Sequence, residues 1–271
     1  MMDRFNYSGR RVVVTGAASG MGDATTRLLC ELGAEVWALD VNDVTAPAKA
    51  FLRIDLRDPA TVQVAAAEIE GPVHAIFHCA GLPGAPFSNL DTILVNFIGA
   101  RLLTESLLPQ MEPGSAIASV ASVAGMGYLM NMANVKQLLE TEDFESARTW
   151  CEANPEIANG YPFSKECIIV YSLMQARRLA ERGIRINTIS PGITETPMLP
   201  AFYDQVGKDW MDANFRGFLG RYAKAEEQAW PLAFLNSDAA SFISGVNIFV
   251  DAGYTGALFT GEIAPPPPPS A

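Results

Sequence analysis

Short apolar runs alternate with amphipathic stretches along almost the whole chain. Arg11–Thr15 is β-branched and apolar, which predicts a buried first strand, and it runs into a glycine-rich turn and a helical pattern over 21–32. Residues 35–39 read as the second strand, with Asp40 at its carboxyl end. A short crossover over 42–50 leads to a third strand at 51–54. Asp58 and Pro59 then supply an N-cap and a first-turn proline for a helix reaching Ile69. Strands at 73–79, 115–120, 185–190 and Asn247–Val250, with long helices at 90–108 and 161–182, continue the alternation. Strands and helices in turn imply a single α/β domain: a doubly wound parallel sheet of about seven strands, helices on both faces and right-handed crossovers.

Composition narrows the partners. The 271 residues carry 19 Lys and Arg against 30 Asp and Glu, a formal charge of -11 that repels nucleic-acid backbones and anionic membranes. Cys30, Cys79, Cys151 and Cys167 form no C-x-x-C pair and read as reduced thiols of a cytoplasmic protein. His74 and His78 alternate along one apolar strand, where packing rather than metal binding is expected, so no metal site is predicted. Arg10 and Arg11 precede an apolar run, but glycines interrupt it and no small-residue cleavage site follows, so neither a secretory leader nor a membrane span is expected. Residues 1–264 are read as the domain, and the proline-rich 265–271 as an extended, solvated tail.

The chemistry centres on Tyr161 and Lys165, four residues apart on one face of the 161–182 helix. A nearby ammonium favours a phenolate and would draw the tyrosine toward working pH, as acid-base catalysis requires. Gly16, Ser19, Gly20, Met21 and Gly22 lie between the first strand and its helix, where bare backbone and a helix amino end can face a pyrophosphate. Asp40 arrives 18 residues after Gly22, placed to accept both hydroxyls of an adenosine ribose. No cation stands among Ala17, Ala18, Val41 or Asn42 to receive a 2'-phosphate, so NAD is favoured over NADP. Ser122, just past the strand at 115–120, is placed to hold a carbonyl oxygen beside the phenol, with Ser119 as its competitor.

Taken together, the glycine loop, Asp40, Ser122 and Tyr161-x-x-x-Lys165 resemble the short-chain dehydrogenase/reductase family over nearly the whole chain, and the resemblance implies a Rossmann fold. It implies that Tyr161 is the general acid-base, that Lys165 lowers its pKa and binds the nicotinamide ribose, that Ser122 orients substrate and that Asn96 supports a proton relay. It also assigns Asp55 and Leu56 to the adenine, Ala80 and Gly81 to the ribose side, and Pro191, Gly192, Ile193, Thr194 and Thr196 to the carboxamide end. Two departures stand out: His78-Cys79 replaces the usual Asn-Asn before Ala80-Gly81, and the stretch between Ser122 and Tyr161 is unusually long.

That insertion, 126–158, is read as two short helices at 134–139 and 143–153, anchored by Leu138, Leu139, Phe144 and Trp150, and is expected to carry substrate or interface specificity. Residues 197–220, rich in aromatic and Met side chains, are read as a substrate lid or a subunit contact. The whole is similar to the branches containing bacterial 3α-hydroxysteroid dehydrogenase/carbonyl reductases and coniferyl-alcohol dehydrogenases. The expected function is an NAD-dependent alcohol dehydrogenase or ketoreductase on a bulky apolar substrate, hydroxysteroid-like or, alternatively, a coniferyl-type aryl alcohol. Its expected assembly is a homo-oligomer, dimer or tetramer. A non-catalytic NAD-binding scaffold is the rival from another class, and an intact Ser122, Tyr161 and Lys165 set argues against it.

Overall fold

In the computed structural model, which describes residues 4–216 and 219–263, the predicted strands form β1 (Arg11–Thr15), β2 (Glu35–Asp40), β3 (Ala50–Arg53), β4 (Ala75–His78), β5 (Ala116–Val120) and β6 (Arg185–Pro191). A two-residue pair, β7 (Thr194–Glu195) with β8 (Ala223–Lys224), precedes the last strand, β9 (Asn247–Val250). Seven strands pair in parallel in the order β3-β2-β1-β4-β5-β6-β9. The chain reverses its direction of winding between β1 and β4, and in such sheets a crevice opens there at the carboxyl ends. The proline-rich tail 265–271 and the lid residues 217–218 lie outside the described residues.

Helices cover both faces. They are α1 (Gly20–Glu31), α2 (Pro59–Glu68), α3 (Asn89–Ile93), α4 (Gly99–Leu107), α5 (Tyr128–Leu139) and α6 (Phe144–Ala153). After them come α7 (Tyr161–Ala180), α8 (Leu199–Val206), α9 (Lys208–Phe215), α10 (Ala225–Asn236) and α11 (Tyr254–Phe259). Val12 and Val14 of β1 pack with Leu28 and Leu29 of α1 and Leu232 of α10, while Val13 faces α2 and α4 through Val62 and Leu103. Both sides of the strand are therefore buried, which explains its unbroken apolar reading. The third cluster joins the insertion to α7, with Leu138 and Phe144 against Phe163 and Ile169.

Two elements differ from expectation, and a third, α10, lies where none was predicted. The 90–108 helix is divided, α3 and α4 being separated by a π-helical turn over Leu94–Ile98 that holds Asn96. Its apolar phase runs through the turn, so periodicity does not mark it. Gly99, at the far end, lies where a Cβ would sit 2.1 Å from the Leu56 carbonyl oxygen, so the helix passes unusually close to the strand-three loop. The first insertion helix starts at Tyr128 rather than 134, because its opening residues Leu129 and Met130 point to solvent and break the amphipathic pattern. Finally, α10 forms around Pro231, a residue that ordinarily argues against a helix interior.

Asp58 caps α2 as its sequence position suggested, accepting from the Ala60 amide at 2.9 Å. Gly22 has a structural duty, since a Cβ there would lie 1.9 Å from the Gly16 carbonyl oxygen. Gly22→Ala is expected to force the glycine loop away from α1 and lower unfolding stability by about 3 kcal/mol, read from denaturant midpoints.

Candidate active site

Ser122, Tyr161 and Lys165 come together where β5 meets the start of α7. Two residues past β5, Ser122 opens a 3-10 turn, Val123–Gly125, and its Oγ accepts from the Ala124 amide at 3.1 Å. Gly125 allows that turn to lie on α7, since a Cβ there would fall 2.9 Å from the Lys165 carbonyl carbon. Tyr161 begins α7 directly after Gly160, whose φ of 91° lies in the region that glycine tolerates. Half-buried Tyr161 lies beside Ser122, close enough for the serine to act on its phenol. Lys165 is buried, its Nζ donating to the Val120 carbonyl at 2.9 Å and standing 5.4 Å from the Tyr161 ring centroid. Ser119 faces elsewhere, toward a second pocket shared with His78 and Ile186.

The electrostatics correct one expectation. Burial pushes the Tyr161 phenol up to about 12, with the Ser122 side chain opposing the rise, and Lys165 makes no resolved contribution to lowering it. Desolvation instead brings Lys165 itself down to about 8. The ammonium is directed to the Val120 carbonyl and lies over the ring rather than at the hydroxyl, so the removal of water outweighs its field.

Asn96 also takes a more structural position than a relay suggests. Its Oδ1 accepts from the Leu82 amide at 2.6 Å, while Nδ2 donates to the Leu82 carbonyl at 3.1 Å and to Ser164 Oγ at 3.0 Å. The side chain thus ties the loop after β4 to α7. Gly81 lies between, where a Cβ would fall 3.4 Å from Asn96 Oδ1 and 3.7 Å from Lys165 Nζ.

A cleft of about 340 Å³ runs along the carboxyl edge of the sheet. Gly16, Ser19, Gly20 and Met21 form one wall, and Asp40, Asp55 and Leu56 form the far end. Ala80, Gly81 and Thr196 close the side nearest Lys165. Gly20, at φ 53°, presents backbone where a Cβ would meet Thr196 at 3.2 Å. Asp40 is held rigidly, its oxygens accepting from the Ala18 amide at 3.0 Å and the Asn42 amide at 2.8 Å. Bare glycine backbone at one end and a fixed carboxylate at the other fit a dinucleotide.

The remaining cofactor expectations separate by position. Gly22 packs beneath the loop instead of lining the cleft, and Lys165, Pro191, Gly192, Ile193 and Thr194 also lie outside its walls. Pro191 pairs with Val250, and the Gly192 amide donates to the Val250 carbonyl at 3.1 Å, so this segment anchors the approach to Thr196. Sequence reasoning missed Arg57 and Phe87, which do line the cleft, as does Met198 from the segment read as a lid. Arg57 grips Asp55 through Nε at 3.0 Å and a terminal nitrogen at 2.7 Å, holding that carboxyl below its usual range. The signal was available in Asp55-Leu56-Arg57, a cation one strand exit from the carboxylate.

Above Tyr161, the Phe202 ring of α8 stands edge-on at 5.3 Å. Gln205 fastens α8 to the loop after β4, Nε2 donating to the carbonyls of Pro83 and Ala85, each at 3.2 Å. Trp150, expected as an apolar anchor of the insertion, stacks on buried Phe163 at 6.1 Å. Among the described residues the four cysteines are free, no His, Cys, Asp and Glu cluster suits a metal, and no helix is long and apolar enough to cross a membrane.

A glycine-lined cleft at the switch point of a parallel sheet, with a half-buried Tyr and a buried Lys beside it, is the architecture of a dinucleotide-dependent oxidoreductase. Residues 10–134 match the short chain dehydrogenase family model, and 146–255 match a model described as Enoyl-(Acyl carrier protein) reductase. The coniferyl-alcohol dehydrogenase of Pseudomonas sp. (strain HR199 / DSM 7063) is 32% identical over 91% of this chain and 96% of its own. The 3-alpha-hydroxysteroid dehydrogenase/carbonyl reductase of Comamonas testosteroni is 31% identical over 89% and 95%. Among solved structures, the 3-alpha-hydroxysteroid dehydrogenase of Pseudomonas sp. B-0831, complexed with NADH, superimposes with a TM-score of 0.75 at 27% identity, covering 94% of this chain and all of that one. The chain belongs to the short-chain dehydrogenase/reductase family of oxidoreductases.

The depressed Lys165 has a measurable consequence for folding. Its folded value of about 8 lies below the ordinary 10.5, so between those limits the unfolded chain binds more protons and stability rises with pH. Unfolding free energy of the wild type relative to Lys165→Met is expected to climb by about 3 kcal/mol across that window, measured by denaturation at stepped pH.

Proposed function

We propose that this protein is an NAD-dependent dehydrogenase/reductase that interconverts a ring hydroxyl and its ketone on a bulky apolar substrate of hydroxysteroid type. The observation that carries the reading is the convergence of Ser122 and Tyr161, backed by buried Lys165 and covered by Phe202. A bound nicotinamide supplies the two-electron acceptor or donor. Ser122 and Tyr161 hold the substrate oxygen, and Tyr161 takes the hydroxyl proton in oxidation or returns it in reduction. Raised to about 12, the phenol is protonated at neutral pH and ready to donate, whereas oxidation is aided by higher pH. Lys165 stands over the Tyr161 ring, and Asn96 holds the Leu82 backbone and α7 in place beside that ammonium.

The NAD preference rests on Asp40, whose fixed carboxylate would repel a 2'-phosphate, while the Arg57 charge is committed to Asp55. The ring-alcohol preference is supported by the apolar lid and by the two 3-alpha-hydroxysteroid dehydrogenases among the similar proteins. A coniferyl-type aryl alcohol is the second reading, supported by the 32% identical Pseudomonas enzyme and by the aromatic edge that Phe202 offers a planar substrate. Soluble cytoplasmic location and a homodimer or tetramer belong to the same reading. Exposed Leu129, Met130 and Phe242 provide apolar surface that a second copy would cover.

Tyr161→Phe is expected to lower kcat by about 100-fold or more while leaving dinucleotide affinity unchanged by calorimetry, and undiminished turnover would remove the acid-base role. Asp40→Ala should weaken NAD several-fold more than NADP in the same titration. An unchanged ratio would place cofactor selection elsewhere.

A further inference from the structure

A second, smaller pocket of about 20 Å³ lies between β4, the π-helical turn, α4 and α7. His78, Thr104 and Ser172 contribute its polar walls together with Asn96 and Ser119. His78 is 7% exposed and Ser172 2%, yet His78 Nδ1 and Ser172 Oγ find no hydrogen-bond partner among the described residues. Ser172 does not return its hydroxyl to the preceding helical turn, as serines in mid-helix commonly do. Two bare polar atoms in one buried pocket point to a shared partner, because leaving either unpaired forfeits its hydration without return.

The neighbours determine what that partner must offer. Thr104 donates its hydroxyl proton to the Ala100 carbonyl at 3.0 Å, so toward His78 its oxygen accepts. The 2.7 Å contact therefore makes His78 Nε2 the donor and leaves Nδ1 a bare acceptor. Burial drives His78 down to about 4, which keeps the ring neutral. Arg101 and Tyr171 also border the pocket, but the Arg101 guanidinium is committed to Glu105 and Thr141. The partner must accept from Ser172 and donate to His78 within space for a single small molecule. A water needs roughly 10–15 Å³ and two or more polar contacts.

We propose that this pocket binds one structural water, which accepts from Ser172 and donates to His78 Nδ1, and that His78 is thereby a positioning residue for Ala80 and Gly81. His78 closes β4 directly before the Cys79-Ala80-Gly81 segment that lines the large cleft, and Ser172 lies two helical turns beyond Lys165 on α7. The water clamps the cleft wall to the helix that carries Tyr161 and Lys165. The positioning role rests on the reading of the cleft as a dinucleotide site, whereas the water does not.

The full chain has two histidines, so ring-nitrogen NMR of histidine-labelled protein gives two assignable systems. His74 is an internal reference, since its Nδ1 already accepts from the Arg11 amide at 3.0 Å. From about pH 8 to pH 6, His78 is expected to stay the neutral Nε2–H tautomer, with an Nδ1 resonance displaced like that of His74. Ser172→Ala should move the His78 Nδ1 resonance toward a free acceptor without disturbing His74. The same variant should weaken dinucleotide binding about 2- to 10-fold by calorimetry, the loss of one hydrogen bond's worth of order. An Nδ1–H tautomer, or a His78 resonance indifferent to Ser172→Ala in a chain with unaltered circular dichroism, would overturn the water site. Unchanged affinity in that variant would overturn the positioning role. A wild-type chain that binds no dinucleotide would overturn the reading of the cleft, and the ring resonances would still decide the water.

Discussion

The buried Lys165 ammonium is the constraint on which the site depends. A cation out of water is costly unless its donors are satisfied and its position is set by surrounding packing. Here the Val120 carbonyl at the end of β5 receives Nζ, and Gly125 and Gly81 give the space in which the side chain and its helix are seated. That arrangement requires β5, α7 and the loop after β4 to meet at one point. Asn96 secures the meeting from the other side by bonding both Leu82 and Ser164. The sheet's parallel topology then brings the glycine loop and Asp40 to the same edge, so cofactor cleft and acid-base pair share a frame.

Charge and burial divide the labour between the two ends of that edge. At the far end of the cleft, Asp40 and the Asp55 and Arg57 pair are held by backbone amides and by each other, which fixes their positions with little net charge beyond Asp40. Around Tyr161 and Lys165 burial dominates: the phenol is raised to about 12 and the ammonium lowered to about 8, so desolvation drives the two values apart and favours the neutral form of each. The Phe202 ring covers Tyr161 from α8. The Gln205 bonds to Pro83 and Ala85 keep that aromatic cover joined to the same loop that Asn96 holds below.

Much of this was legible in the residues because the buried strands read as unbroken apolar runs and the glycine loop has little other use at a strand-to-helix turn. Asp58 announced α2, and Ser122, Tyr161 and Lys165 converge as their spacing implied. What escaped sequence reading depends on three-dimensional neighbours. The π-helical turn keeps the apolar phase of an ordinary helix, and α5 begins with residues whose side chains face solvent. Trp150 read as an anchor of the insertion, but its partner Phe163 is set by the packing of the insertion on α7 and appears only in the fold. The Tyr161 phenol was expected to fall under the influence of Lys165 and instead rises, because desolvation is set by atoms from distant segments. Similarly, His78 marked a departure from the family pattern, but its Thr104 contact appears only when β4 and α4 are packed together.

The most direct measurement is the formation of reduced nicotinamide when the purified protein meets NAD and a 3α-hydroxysteroid, with coniferyl alcohol run in parallel. Turnover of the steroid at a higher kcat/KM than the aryl alcohol is the expected result for a ring-alcohol dehydrogenase. Preference for coniferyl alcohol would contradict the substrate class, and no reduction with either alcohol would contradict the proposed reaction on these substrates.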